Sequence, residues 1–250
     1  MGKNSNPKAS IYYYKLEKPD LTQQLAEQAR GYQLRYNEDR LELVKTGSDA
    51  PGPISCDFVT GKMGYRLVHG RNKRQPLARA LGLKGNPDLK VIDATAGMGR
   101  DAMMLASLGC LVLMLERSPI IAALLEDGLK RAAQTTALGP LVKKRVRLIH
   151  TEAITYLDNL SQQERPDVVY LDPMYPPSTK SAKVKKEMQI LRDLLGNDSD
   201  AAALLQAALN CANNRVVVKR PRFAEPLSDA PPTRSAHGKT TRYDIYTHDQ

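Results

Sequence analysis

Val91-Ile92-Asp93-Ala94-Thr95-Ala96-Gly97-Met98-Gly99-Arg100-Asp101-Ala102 is the stretch on which the fold turns. Val91 to Ala94 is a short apolar run of strand length. It passes through small residues into a segment whose apolar spacing predicts a helix from Gly99 to Leu108. Gly97 and Gly99 lack a Cβ, so a ligand can approach the backbone, and amides at the start of the helix face it. Read literally, Gly97 to Ala102 is Gly-x-Gly-x-x-Ala, the dinucleotide fingerprint. The loop therefore specifies an adenosine-bearing cofactor without saying which, with Asp93, Gly97 and Gly99 as candidate contacts.

Downstream the same alternation repeats. Leu111 to Leu115, Val146 to Ile149, Val168 to Leu171, Val216 to Val218 and Tyr243 to Thr247 read as strands. Pro119 to Ala133, Ala153 to Leu160, Val184 to Leu195 and Ser199 to Asn213 read as helices. Short apolar runs separated by helices call for an α/β fold of the Rossmann-like kind, a mostly parallel doubly wound sheet with helices on both faces. It is expected over residues 91–250.

Upstream, residues 1–60 read as a small α/β unit. Ile11 to Tyr14 is strand-like, and Asp20 with Gln23 starts a short helix that Gly31 ends. Tyr32, Leu34 and Tyr36 alternate with polar residues, as do Leu41 and Leu43, with Asn37-Glu38-Asp39 as the turn of a hairpin. Pro51-Gly52-Pro53 precedes a further strand, Ile54 to Val59. Residues 61–90 form a basic connecting segment. Lys62, Arg66, Arg71, Lys73, Arg74, Arg79, Lys84 and Lys90 stand there against the single acid Asp88, with Pro76 opening a helix through Leu77, Ala80 and Leu81. Such a run is either a phosphate-contacting surface or a solvated linker.

The chain has 250 residues, 42% hydrophobic and 26% charged, which is ordinary for a globular protein with a sizeable core. Its 37 Lys and Arg against 27 Asp and Glu, net +10, favour a polyanionic partner such as nucleic acid. Cys56, Cys110 and Cys211 are widely spaced, so neither a disulfide framework nor a zinc site is indicated, and a reducing cytoplasm fits. His69, His150, His237 and His248 show no ligand spacing, and no metal is expected. No segment reads as a membrane span or targeting signal.

Two further sites carry chemistry. Glu116 ends a strand nineteen positions after Gly97, where a carboxylate can accept hydrogen bonds from both ribose hydroxyls. Arg117 beside it can be solvated, pair with an acid, or mark a ribose 2′-phosphate. Then Asp172-Pro173-Met174-Tyr175-Pro176 follows the apolar run Val168 to Leu171, putting a carboxylate, a rigid turn and an aromatic ring at the carboxyl edge of the sheet. A dehydrogenase has no general use for that set, whereas an enzyme that methylates an exocyclic amine does. Asp172 and a nearby carbonyl can take the two N–H bonds, turning the nitrogen lone pair toward a methyl donor. Positioning of that kind removes roughly 7 to 11 kcal/mol of barrier. Pro173 makes the turn and Tyr175 offers a face on which a base stacks, worth roughly 1 to 3 kcal/mol. Lys180, Lys183, Lys185 and Lys186 follow, either as a phosphate clamp or as a solvated helix face. Lys219-Arg220-Pro221-Arg222 makes a second basic group, and the Pro-rich stretch 221–238 reads as a substrate-facing flap. The motifs leave open an NADP-dependent oxidoreductase, a non-catalytic RNA-binding protein, and other NH2 acceptors such as adenine N6 or a glutamine amide.

In VIDATAGMGRDA (91–102), MLERSP (114–119), VVYLDPMYP (168–176), KSAKVKKEM (180–188), RVVVKRP (215–221) and RYDIY (242–246), the chain resembles the ribosomal RNA small subunit methyltransferase J family. These are S-adenosylmethionine-dependent enzymes that methylate N2 of a guanine near the 3′ end of 16S rRNA. The resemblance covers about residues 54 to 247 and implies cofactor contacts at Arg100-Asp101, Glu116-Arg117, Glu152-Ala153 and Asp172. The corner itself makes Asp172, Pro173 and Tyr175 the expected catalytic residues. From the charge runs themselves, Arg71, Lys73, Arg74, Lys180, Lys183, Lys185, Lys186, Lys219, Arg220 and Arg222 are the expected RNA-contacting set. The implied partner is 16S rRNA or the small ribosomal subunit, in the cytoplasm, with no membrane and no obligate protein partner.

Overall fold

The computed structural model describes residues 31–47, 52–70, 75–83, 88–174, 186–195 and 199–247. The strand expected at Ile11 to Tyr14 and the helix from Asp20 lie outside them. β1 (Tyr32–Asn37) and β2 (Arg40–Lys45) form the expected antiparallel hairpin, with Leu34 opposite Leu43 and Glu38 in the turn at φ 55°. The expected strand from Ile54 to Val59 reduces to one bridge between Leu43 and Ile54. Beyond it the Asp57 carboxylate accepts the Val59 and Thr60 N–H groups, and these bonds turn the chain into a helix.

That helix, α1 (Gly61–His69), is absent from the sequence reading because Gly61 and Gly64 are poor helix formers. α2 (Pro76–Leu81) is the expected Pro-initiated helix, and it buries Leu77, Ala78, Ala80 and Leu81. The basic segment thus contains ordered helices. Leu41, Leu43, Cys56, Phe58 and Leu67 share one apolar core with the helices that follow, so the hairpin and α1 dock onto the larger unit.

β3 (Lys90–Asp93), β4 (Leu111–Glu116), β5 (Val146–His150), β6 (Val168–Leu171), β7 (Arg215–Pro221), β8 (Arg234–His237) and β9 (Thr241–Thr247) make one sheet in the order β5-β4-β3-β6-β7-β9-β8. The first five pair in parallel, and β9 is antiparallel to both β7 and β8. β8 lies within the stretch expected to be a flap. That expectation is corrected, because residues 234–237 are fixed as an edge strand on β9. Helices α3 (Arg100–Ser107), α4 (Pro119–Gln134), α6 (Ala153–Asp158), α7 (Lys186–Leu195) and α8 (Ala201–Cys211) match expectation to within a few residues. α5 (Gly139–Arg145), opened by Pro140, was not anticipated.

The sheet is buried on both faces, which is why its parallel strands read as continuous apolar runs. Val168 and Tyr170 of β6 point into the core shared with α3 and α4, and Val169 and Leu171 into the one shared with α6 and α8. Successive connections run from β3 outward through β4 to β5, then return to β6 on the other side of β3. The order reverses there, and a crevice opens at the carboxyl ends of the strands.

Candidate active site

The crevice has a volume of about 520 Å³ and is walled by the loops after β3, β4, β5, β6 and β7. That lies within the range of roughly 300 to 1,000 Å³ for small-molecule sites. Its floor is the glycine loop. Gly97 and Gly99 take φ of 52° and 69°, the left-handed region that glycine enters without penalty. A Cβ on Gly99 would meet Leu125 Cδ1 at 2.5 Å, whereas one on Gly97 would find only Thr95 O at 3.9 Å. Gly99 is therefore favoured by its positive φ and by the Leu125 side chain of α4, which a Cβ would have to displace, and Gly97 leaves an open cradle.

Glu116 is buried at the end of β4 and fastens this loop. Its Oε2 accepts the Gly97 N–H (2.8 Å) and its Oε1 the Ser118 N–H (2.8 Å). Glu116 also lines the crevice, where the ribose diol is expected. Arg117 pairs with Asp200 at 3.0 Å, the acid-pairing option among those its position allowed. Thr151, Glu152 and Ala153 line the wall after β5, and Glu152 begins α6 without a side-chain capping bond.

Across the floor, the β6 edge is tied to the glycine loop by the Asp172 N–H, which donates to Thr95 Oγ1 at 2.6 Å. Lys219, near the carboxyl end of β7, reaches between two carboxylates. Its Nζ is 2.7 Å from Asp101 Oδ2 and 2.7 Å from Asp172 Oδ2. Asp101 Oδ2 also accepts the hydroxyl of the fully buried Tyr170 at 2.6 Å. Burial alone would lower the Lys219 ammonium, but Asp172 and Asp101 outweigh it and hold its pKa above the ordinary lysine value.

Asp93 lies beneath this cluster, wholly buried, with Oδ1 accepting the Thr95 N–H at 3.1 Å. Burial, with the nearby Asp101 and Asp172 carboxylates adding to it, pushes its pKa up to about 8. Burial and the Asp101 charge likewise raise Tyr243 to about 12. Tyr170 rises well above its usual value for the same two reasons. Asp93 is thus largely neutral at pH 7, while Asp101, Asp172 and Lys219 form a polar corner with one central cation.

Sequence and structure agree on bringing Asp93, Gly97, Arg100, Asp101, Glu116, Arg117, Glu152, Ala153, Asp172 and Pro173 to one crevice. Two corrections concern the basic group at the end of β7. Lys219 does not point outward to phosphates, because both of its partners lie in the crevice. Arg220 is 5% exposed, and its guanidinium donates to the Glu225 carbonyl. Of the three basic residues of that group, Arg222 is the exposed one. Tyr175, Arg71, Lys73, Arg74, Lys180, Lys183 and Lys185 lie outside the described residues, and Lys186 starts α7. Tyr170, Tyr243 and Thr95 were not singled out from sequence. A tyrosine inside an otherwise aliphatic strand was the one available signal.

The donor set fits S-adenosylmethionine. Apolar Leu115, Ile154 and Leu204 line the β4–β5 side around Glu116, and acids cluster toward β6. A molecule with a flat base, a diol and a cationic end finds each counterpart in that order. Among the described residues no group of His, Cys, Asp and Glu is arranged to hold a metal ion, and no helix is long and apolar enough to cross a membrane.

Comparison with known proteins agrees with this chemistry. The family model for SAM-dependent methyltransferases matches residues 16–248. Ribosomal RNA small subunit methyltransferase J of Thioalkalivibrio sulfidiphilus is 54% identical over 206 residues, covering 82% of this chain and 80% of that one. The protein of the same name from Nitrosococcus oceani is 53% identical, covering 85% and 83%. The crystal structure of a SAM-dependent methyltransferase from Neisseria gonorrhoeae superposes with a TM-score of 0.66 at 33% identity, over 87% and 82% of the two chains. NADP-dependent hydride transfer, the rival reading of the glycine loop, is thereby set aside. The chain is an enzyme and belongs to the ribosomal RNA small subunit methyltransferase J family of SAM-dependent methyltransferases.

Proposed function

We propose that this enzyme transfers a methyl group from S-adenosylmethionine to the exocyclic N2 of a guanine in 16S rRNA. The observation that carries the reading is Asp172, fixed at the carboxyl edge of β6 by Lys219 and Thr95, directly beside the glycine cradle. The names of its relatives support a small-subunit rRNA substrate, and the net charge of +10 supports a polyanion. Such a substrate implies the cytoplasm.

S-adenosylmethionine, when bound, supplies a methyl group on a positively charged sulfur. The chain contributes position and charge. Glu116, Gly97 and the backbone at Glu152-Ala153 hold the cofactor, and the acidic corner favours its cationic end. Asp172 accepts one N–H of the guanine amine, a carbonyl of the adjoining turn accepts the other, and the lone pair is thereby aimed along the transfer axis. The proton that N2 gives up on gaining the methyl leaves along its hydrogen bond to Asp172 and on to water. The Lys219 ammonium fixes the orientation of the Asp172 carboxylate. Tyr175 stacks on the base, and Arg71, Lys73, Arg74, Lys180, Lys183, Lys185, Lys186 and Arg222 contact flanking phosphates.

The test is methylation with labelled donor of small subunits, large subunits and naked rRNA, followed by nucleoside analysis. N2-methylguanosine is expected in small-subunit RNA. Its absence from every sample overturns the substrate, and N6-methyladenosine in its place redirects the acceptor. Asp172→Ala should abolish transfer while still binding S-adenosylhomocysteine; an undiminished rate sinks the role given to the carboxylate.

A further inference from the structure

Phe223 and Phe58 are the two phenylalanines of the chain, and their environments are opposite: Phe58 is 1% exposed, Phe223 88%. The turn that carries Phe223 is held on three sides. The Arg222 N–H donates to the Thr240 carbonyl (3.1 Å), the Ala224 N–H to the Pro221 carbonyl (3.1 Å), and Arg220 Nη2 to the Glu225 carbonyl (2.7 Å). Arg242 Nη1 adds a bond to the Arg222 carbonyl at 3.3 Å. A braced turn therefore presents a bare phenyl ring to water, forgoing the burial that stabilises other large apolar side chains.

Its surroundings indicate what covers it. The Arg222 guanidinium carbon lies 5.4 Å from the ring centroid, so the ring is paired with a cation. Pro221, Thr240 and Thr241, the residues that anchor the turn, also line the active-site crevice. The other exposed large apolar side chains among the described residues, Tyr36, Val59, Tyr65 and Val68, are on or next to the hairpin and α1. Among the described residues Phe223 is thus the one exposed large apolar ring beside the crevice, and it has a guanidinium against it. Unpaired RNA bases are gripped by that combination, an aromatic face for the base and a guanidinium for its backbone.

We infer that Phe223 is a stacking platform for an unpaired base next to the target nucleotide, with Arg222 contacting that nucleotide's phosphate. The inference rests on the RNA-methylating reading and adds to it a specific contact at the rim. The platform takes any base, since every base has a π face, and so contributes to affinity and register more than to sequence choice.

Phe223→Ala, Phe223→Trp and Tyr36→Ala should be compared with wild type. Tyr36, also exposed, sits on the hairpin, does not line the crevice and controls for loss of a surface aromatic. Phe223→Ala is expected to raise the Kd for a naked 16S rRNA fragment, and the KM in methylation, on the order of tenfold. The Kd for S-adenosylhomocysteine and kcat should stay near wild type. Phe223→Trp should restore binding, and Tyr36→Ala should match wild type. A 2-aminopurine placed beside the target should be quenched by wild type and not by Phe223→Ala. Unchanged RNA affinity in Phe223→Ala overturns the platform. So does a defect confined to assembled subunits, which would assign the ring to a ribosomal protein. A wild-type enzyme inactive on every RNA would count against the methylation reading instead, while the binding comparison still decides the platform.

Discussion

Replacing Lys219 with methionine keeps an apolar stem of similar length and removes the ammonium that joins Asp101 to Asp172. At 2.7 Å each contact is worth about 6 kcal/mol of Coulomb energy with an effective dielectric of ~20. Desolvation, several kcal/mol per ion, offsets most of it. Removing one partner of a fully buried pair costs about 3–5 kcal/mol. Here the side chains of Lys219 and Asp101 are each 27% exposed and that of Asp172 is 39%, so water relieves part of the penalty. About 2 kcal/mol of destabilisation is expected. For a chain of this size that lowers Tm by about 4–8 °C. Because the Lys219 pKa is raised on folding, its stabilisation is fully present below the unfolded value of 10.5 and fades only above it. The ammonium's own contribution should therefore be constant from neutral to mildly alkaline pH, and a change in the Tm gap near pH 8 would come from Asp93, whose pKa the Lys219 charge lowers. Loss of a fixed Asp172 should lower kcat on the order of 100-fold. Scanning calorimetry and single-turnover methylation read these two effects separately. Adding Asp101→Asn should recover stability by removing a like charge, without recovering kcat. A Lys219→Met enzyme with wild-type kcat would refute the positioning role, and one with wild-type Tm would refute the electrostatic account.

Two other substitutions test the floor of the crevice. Asp93 has a folded pKa of about 8 against 3.8 unfolded, so the stability of its neutral form is complete below 3.8 and is lost as pH rises to about 8. Asp93→Asn should therefore gain on wild type by several kcal/mol across that window in denaturant titrations; a difference independent of pH refutes the assignment. In Glu116→Gln an amide NH2 would face either the Gly97 or the Ser118 N–H, leaving two donors opposed at a cost of about 1–3 kcal/mol. The S-adenosylhomocysteine Kd should rise about tenfold or more by calorimetric titration, and an unchanged Kd would release Glu116 from its role.

How legible each part was follows from the range of the forces involved. Val168 to Leu171 reads as a buried strand because both of its faces meet helices, and Pro119 as a helix start because its ring suits the first turn. α1 was hidden because Gly61 and Gly64 speak locally against a helix, and contacts with the core decide otherwise. Lys219 read as a surface clamp because a basic tetrapeptide looks solvated. Nothing near it in sequence announces partners 118 and 47 positions away.

By itself the sequence determined the parallel sheet, the glycine cradle, the carboxylate that closes it and the Asp-Pro corner, since each depends on residues within one strand and its following turn. Tertiary structure alone decided the electrostatics. It set one ammonium between Asp101 and Asp172, put a neutral Asp93 beneath them, buried Arg220, and left Phe223 bare beside Arg222. Charge and burial depend on which distant side chains share a volume, and only the packed sheet brings the ends of β3, β6 and β7 together.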